Sequence, residues 1–368
     1  MSRLILAINP GSTSTKIGLF RDYSPVFMIN IEHDRAELEK FPSLPSQKEF
    51  RLKFVLNALN EHGVVVTELD GVVGRGGLMP VLETGGYEFN DVMKDWIFAE
   101  KGGSHASNLG SLMADLVAGE AGCKAYIYDS VAAGALPQVA AITGFPEIKR
   151  KSLSHVLNSR AQSILYAQKI GKKFEDMNVI IAHLGGGISL SVYEQGILKD
   201  SVGDDNGPFS PERAGAAPLM DFLNTFFDRD VEKSFVKKKI RGGGGLMAHL
   251  GHTDFKKVED DANAGCEKCK LLMDAMAYNI AKSIGSLATV VSGKVDAIII
   301  TGGLARAKSW AADIASRVSF IAPVEVAAGE YELEALAAGC LRIINGEEAA
   351  KRITAITDDG FAVTEIVQ

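Results

Sequence analysis

Two short stretches of the chain repeat one design. Residues 4–8 form an apolar run that reads as a buried strand, stopped by the small polar turn Asn9-Pro10-Gly11-Ser12-Thr13-Ser14-Thr15 and followed by a return run over 17–20. Residues 179–182, the turn His183-Leu184-Gly185-Gly186-Gly187 and the run 188–193 repeat that strand, turn, strand unit. At one constant offset Ile5 aligns with Ile180, Ala7 with Ala182, Gly11 with Gly186 and Ser14 with Ser189. Two such hairpins, each opening one half of the chain, point to an internally duplicated fold. The 368 residues agree, since at ~150 residues per domain they make two domains.

Other apolar runs at 71–73, 125–128 and 297–300 read as buried strands, and each ends in a polar or glycine-rich element: Arg75-Gly76-Gly77, Asp129, and Thr301-Gly302-Gly303. In open α/β sheets ligands collect beyond the carboxyl ends of strands. Apolar residues at three- and four-residue spacing predict helices over 48–59, 107–117, 156–170, 266–291, 304–318 and 333–344, several followed by glycine. The alternation predicts mixed α/β architecture. The segment 200–261 is polar and weakly patterned, so its run Gly242-Gly243-Gly244-Gly245 reads as a flexible surface loop rather than a phosphate cradle. Cys266 and Cys269 read as two cysteines one turn apart on a helix, because a zinc or redox site wants more ligands or a different context. Residues 351–368 carry no functional reading.

Composition narrows the partners. A net charge of -7, from 39 Lys plus Arg against 46 Asp plus Glu, argues against a nucleic-acid binder. Lys149-Arg150-Lys151 and Lys237-Lys238-Lys239 read as solvated faces. The apolar start is too short for a secretory signal, and the longest uncharged stretch, 130–146, is broken by Gly134, Pro137, Gln138 and Gly144. Four cysteines are too few for a disulfide scaffold. The expectation is a soluble cytoplasmic protein with no nucleic-acid or membrane partner, and a homo-oligomer as many soluble proteins are.

The chain has no G-x-x-x-x-G-K-[ST] loop, since Thr15 stands where the second glycine of that pattern would precede Lys16. Tight turns of small residues nevertheless bind anions through successive backbone N–H groups. Residues 9–15, Gly185 to Gly187 and Gly302-Gly303 supply three such turns, which together favour a nucleotide site. Here a resemblance becomes specific. Asn9-Pro10-Gly11-Ser12-Thr13-Ser14-Thr15-Lys16 resembles the N-x-G-S-[ST]-S-[ST]-K opening of the acetate and butyrate kinase family. His183-Leu184-Gly185-Gly186-Gly187-Ile188-Ser189 is similar to the family's H-L-G-x-G-x-S phosphate loop, and Thr301-Gly302-Gly303-Leu304 to its adenosine-binding turn. Gly74-Arg75-Gly76-Gly77, the run 206–213 ending in Pro211-Glu212-Arg213, and the run 329–336 resemble the butyrate kinase branch more than the acetate kinase one.

The resemblance implies an α/β fold of two duplicated actin-like ATPase domains, as in sugar kinases, heat-shock 70 ATPases and actin, with an interdomain nucleotide cleft. The first domain would span 1–130 plus 332–368, the C-terminal helix returning to it, and the second 131–331 with the nucleotide loops. ATP and ADP with Mg²⁺ would be the cofactors and a short-chain carboxylate the substrate, phosphorylated reversibly to an acyl phosphate. Asn9, Gly11, Ser12, Ser14, Lys16, His183, Gly185, Gly186, Gly187, Gly302 and Gly303 would bind nucleotide. Arg75, Arg213, Asp129, His105 and His155 would be the catalytic set. Asp129 would also lie by the metal, with Glu332 chosen as the metal-linked glutamate from Glu330, Glu332 and Glu334. Each has a plainer alternative: a loop arginine, a turn-forming aspartate, satisfied core histidines, or acids that favour a helix N-terminus. Another small-molecule kinase of the superfold, such as a sugar kinase, and an actin- or chaperone-like ATPase are the competing functions.

Overall fold

A computed structural model describes residues 2–152, 154–203, 205–227 and 231–367. Their strands, in chain order, are β1 (Leu4–Pro10), β2 (Ser14–Arg21), β3 (Ser24–Glu32), β4 (Gly71–Gly74), β5 (Gly86–Glu88), β6 (Lys124–Tyr128), β7 (Asn178–Leu184), β8 (Ile188–Glu194), β9 (Ile197–Val202), β10 (Ala297–Gly302), β11 (Val324–Ala328), β12 (Ala350–Ile356) and β13 (Ala362–Val367). The chain divides into two units, Met1–Ala135 with Tyr331–Gln368, and Leu136–Glu330.

The first unit is built on a sheet ordered β13-β12-β5-β6-β4-β1-β2-β3, the second on one ordered β11-β10-β7-β8-β9. The two share a nucleus. β1 pairs antiparallel with β2, which pairs antiparallel with β3, while on its other side β1 runs parallel to β4 and β4 parallel to β6. In the same way β7 pairs antiparallel with β8 and β8 with β9, while β7 runs parallel to β10 and β10 to β11. This repeated order is the duplication that the two hairpins announce.

Burial on both faces explains why the central strands read as unbroken apolar runs. Ile5, Leu6, Ile8, Ile180, Ile181, Ile298 and Ile300 are all inaccessible to solvent. Helix Asn108–Ala121 covers the first sheet with Leu109, Leu112, Met113 and Val117, and helix Glu267–Val290 covers the second with Met276, Ile280, Ile284 and Leu287. Helix Glu332–Ile344 packs on β1 and β4 in the first unit. The tail beyond it forms the antiparallel hairpin β12–β13, which extends that sheet past β5. Among the described residues no helix is long and apolar enough to cross a membrane.

Two expectations need correction. Within 200–261, where a flexible loop was expected, the described residues form helices Leu219–Phe226, Lys233–Ile240, Gly245–Leu250 and Phe255–Asn263. Gly244 and Gly245 are buried, and a Cβ on Gly245 would fall inside contact distance of the Ser210 and Arg213 carbonyls. The run is therefore a close-packing device under the segment that carries Arg213. It escaped the sequence reading because the helices are short and bury few side chains, such as Leu246, Phe255 and Val258. The second correction is at Cys266, which caps helix Glu267–Val290 and accepts from the Cys269 amide, the two sulfurs being joined as a disulfide rather than standing as separate thiols.

Close approach of backbone to backbone decides one glycine. A Cβ on Gly74, the last residue of β4, would collide with the Gly110 carbonyl in helix Asn108–Ala121. We expect Gly74→Ala to cost about 1–3 kcal/mol by forcing strand and helix apart, read as a lower urea midpoint; unchanged stability would mean that the helix slides freely.

His33, just after β3, is buried, and its Nε2 lies 2.8 Å from Thr15 Oγ1. Burial, and then the positive charge of Arg51, push its pKa down to about 4 from the ordinary 6.5. The unfolded chain therefore takes up a proton below about pH 6.5 that the folded chain refuses until about pH 4. Stability should fall as pH drops through that window, and melting curves of His33→Gln should show a shallower decline than the parent; equal slopes would discount His33.

Candidate active site

In the first unit the carboxyl ends of three parallel strands lie side by side, with Ile8 beside Gly74 and Gly74 beside Ile127. Three of the expected groups leave the sheet along that line. β1 runs into the turn at Gly11, Ser12 and Thr13, β4 into Arg75, and β6 into Asp129. Ser12 and Thr13 are exposed, and Lys16 projects to solvent from β2 opposite Asn9. Asn9 is buried and donates to Glu332 at 2.5 Å, so the first residue of the returning helix is tied to the turn.

Arg75 is only 6% exposed and donates to the Asp129 carbonyl at 3.0 Å. Asp129 is 1% exposed, and its Oδ1 accepts from the Gly85 amide at 2.7 Å. Its φ of 41° is in the left-handed region, which Asp tolerates better than most residues and which turns the chain sharply at the strand end. His105 is at the surface, where its Nδ1 accepts from the Ser107 amide at 3.2 Å. Desolvation of the ring and the Arg75 charge lower its pKa, which favours the neutral form.

The second unit repeats the arrangement with other side chains. The end of β7 presents His183, beside Thr301 on β10, and Gly302 is level with Ala328 on β11. His183 is 2% exposed; Asn158 donates to its Nδ1 at 2.9 Å, which leaves the proton on Nε2, 3.6 Å from Glu330 Oε1. The ring of His155 stacks on that of His183 with centroids 3.9 Å apart, and His155 Nδ1 is 2.8 Å from Ser189 Oγ. Gly185 donates to the Gly187 carbonyl, and the Gly186 carbonyl accepts from Ser210 Oγ at 2.6 Å. The glycine turn is thus joined to the segment bearing Arg213, whose guanidinium lies 2.9 Å from Glu212 Oε1. Gly302, at φ 92°, packs on the Leu184 backbone, whereas Gly303 faces open space.

The expected residues therefore gather into two groups, one in each unit. Asn9, Gly11, Ser12, Ser14, Arg75, Asp129 and Glu332 share the first set of strand ends, with His105 close enough for Arg75 to act on its ring. His155, His183, Gly185, Gly186, Gly187, Gly302, Gly303 and Arg213 make the second. The sequence reading missed Asn158 and Arg51, and it quoted Ser189 and Thr301 within motifs without giving either a role of its own. Asn158 had a signal: with Ser159, Gln162 and Ser163 it forms a buried polar stripe on helix Val156–Lys169, where apolar residues would be expected.

Among the described residues no three His, Cys, Asp or Glu side chains come together as a metal cage. The carboxylates of Asp129 and Glu332 offer hard oxygen donors, one of them buried. That suits Mg²⁺, which keeps several waters and commonly takes one or two protein carboxylates together with substrate phosphates.

Residues 154–359 match the model of the acetokinase family. The chain is 43% identical over 349 residues to butyrate kinase 1 of Clostridium acetobutylicum, covering 94% of this chain and 98% of that protein. It is 40% identical over 353 residues to a probable butyrate kinase of Clostridium botulinum, covering 95% and 99%. The crystal structure of Porphyromonas gingivalis acetate kinase superposes with a TM-score of 0.76 at 17% identity, over 93% of this chain and 100% of that one, so the two share the duplicated actin-like fold. With more than half of its length matching the family model and relatives of this closeness along nearly all of it, the chain belongs to the acetokinase family.

Proposed function

We propose that this protein transfers the γ-phosphoryl group of ATP reversibly to butyrate or a similar short or branched-chain carboxylate, giving acyl phosphate and ADP. The observation that carries this reading is the 43% identity running through 98% of a butyrate kinase. The geometry supports it through the small-residue turns at the strand ends, each backed by buried polar side chains.

A carboxylate with a pKa near ~4 is already ionised at neutral pH, so the reaction needs no general base. The obstacle is repulsion between an anionic nucleophile and a polyanionic phosphate, about 4 kcal/mol per like-charge pair at 4 Å and an effective dielectric near 20. Phosphoryl transfer is accordingly promoted by positioning and by cations. Arg75 is the first cation we assign: its buried guanidinium is held against the Asp129 carbonyl, so little reorganisation accompanies the reaction. Arg213 is the second, and its contact with Glu212 must loosen for it to meet a phosphate. His183 and His155 are proposed to donate hydrogen bonds to phosphate oxygens, the Nε2 proton of His183 being fixed by Asn158. His105 is assigned to the transferring group as a neutral donor.

Asn9, Gly11, Ser12, Ser14, Lys16, Gly185, Gly186, Gly187, Gly302 and Gly303 are assigned to the nucleotide, the glycines for the approach of backbone to phosphate and adenosine. Asp129 and Glu332 are the residues that would hold Mg²⁺. When bound, that ion neutralises phosphate charge and orients the β and γ groups. The reading includes a homo-oligomer working in the cytoplasm, where ATP is made and spent.

Trapping with hydroxylamine in the presence of MgATP should reveal acyl phosphate with C4 or C5 acids at a higher kcat/KM than with acetate. No product with any acid from C2 to C5 would refute the proposal. Arg75→Ala should lower kcat by about 10²–10³-fold with little change in melting temperature, as single-turnover assays would register. A variant within two-fold of the parent would remove Arg75 from the catalytic set.

A further inference from the structure

Helix Lys48–Glu61 carries an arginine that no motif singled out. Arg51 is completely buried. Its Nη1 donates to the carbonyls of Gly11 at 2.8 Å and Ser14 at 2.9 Å, and its Nη2 to the Ser12 carbonyl at 2.7 Å. Nη2 and Nε also reach Gln47 Oε1 at 3.0 and 3.2 Å. All five N–H groups of the guanidinium are therefore satisfied, four acceptors sharing them in the planar fork that only arginine provides.

The remaining carbonyl of the turn, that of Thr13, accepts from the His33 amide at 2.8 Å. All four carbonyls from Gly11 to Ser14 are thus engaged from within the fold. Among the described residues none accepts from the backbone amides of Ser12 and Thr13, and both residues are exposed. Carbonyls drawn inward and amides left outward is the arrangement of an anion-binding concavity.

The charge is equally one-sided. Among the described residues no carboxylate pairs with Arg51, and its partners are neutral amide oxygens. A buried cation is expensive unless paired, so one balanced only by carbonyl dipoles leaves a positive potential at the turn. Burial pushes its pKa down only to about 10, so the group is charged at neutral pH.

We propose that Arg51 is a positioning residue for the nucleotide: it sets the turn so that the Ser12 and Thr13 amides point at phosphate, and its unneutralised charge strengthens their hold on a polyanion. The inference rests on the kinase reading and adds a residue to it that never touches the ligand. A merely structural role would make Arg51 a stabiliser of the hairpin and nothing more.

Gln47→Glu separates the two, because it keeps an acceptor on the same guanidinium N–H groups while cancelling the charge, and gives up only the long 3.3 Å bond from the Gln47 amide to the Leu38 carbonyl. Binding of ADP, measured by calorimetry with and without Mg²⁺, should weaken about five-fold or more, with a shallower dependence on salt, while KM for the carboxylate and the melting temperature hold or the latter rises. Arg51→Lys, which keeps the charge and loses the fork, should also weaken ADP binding, but less than Arg51→Met. ADP affinity and salt dependence equal to the parent's in a folded Gln47→Glu protein would overturn the proposal even if Arg51→Met failed to fold. Failure of the parent itself to bind ADP would overturn the nucleotide reading and this inference together, an outcome that the parent's own titration keeps distinct.

Discussion

In each unit, parallel strands end at one level, all of them buried except the edge strand β11, and the chemistry depends on that alignment. A buried strand can leave the sheet only by turning, and its last backbone polar groups must find partners. β1, β4 and β6 solve this with a small-residue turn, with Arg75 in a glycine-flanked loop, and with Asp129 in a left-handed conformation. β7, β10 and β11 solve it with the turn at Gly185 to Gly187, with Gly302, and with the Gly302–Gly329 bridge. The N–H groups that remain outward after this accounting are what an anion can use.

Holding those ends in place takes polar groups inside the protein, and three of them have backbone or neutral side chains as partners. Arg51 spends its donors on carbonyls and on Gln47, Asp129 accepts from a backbone amide, and His183 is fixed by Asn158. Interactions of this sort leave charge available. A guanidinium against a carboxylate presents little field to a ligand, whereas one against carbonyl dipoles keeps most of it. For a chain of net charge -7 that must attract anions, this local arrangement matters more than the overall balance.

What could be read without coordinates follows the same physics. β1, β4, β7 and β10 were legible because burial on both faces writes an uninterrupted apolar run, and the turns because glycine and serine mark close approach. β3 and β13 were not, since strands half exposed at a sheet edge show only a diluted alternation: Phe27, Ile29 and Ile31 pack inward while Val26 and Met28 face solvent. The helices of 200–261 were hidden by their shortness. Arg51 was hidden for a different reason. Its spacing on helix Lys48–Glu61 places it on the same inward face as Val55 and Leu59, so only the acceptors from another part of the chain reveal its purpose. Asn158 was recoverable in principle, because an amide among buried positions must have partners somewhere.

The repeated nucleus also shows how duplication allows division of labour. Both units keep the strand order and the turn after the first central strand, which are set by packing and tolerate little change. The side chains beneath the turns differ completely. Under the first turn is a permanent cation, which no ordinary pH change can discharge. Beside the second are two stacked histidines, one in contact with Ser189 and the other held by Asn158. A fixed charge suits holding a polyphosphate throughout the reaction cycle, and a directed hydrogen-bond donor suits meeting charge as it moves from one oxygen to another. The scaffold was copied, whereas the electrostatics beneath each turn took separate forms.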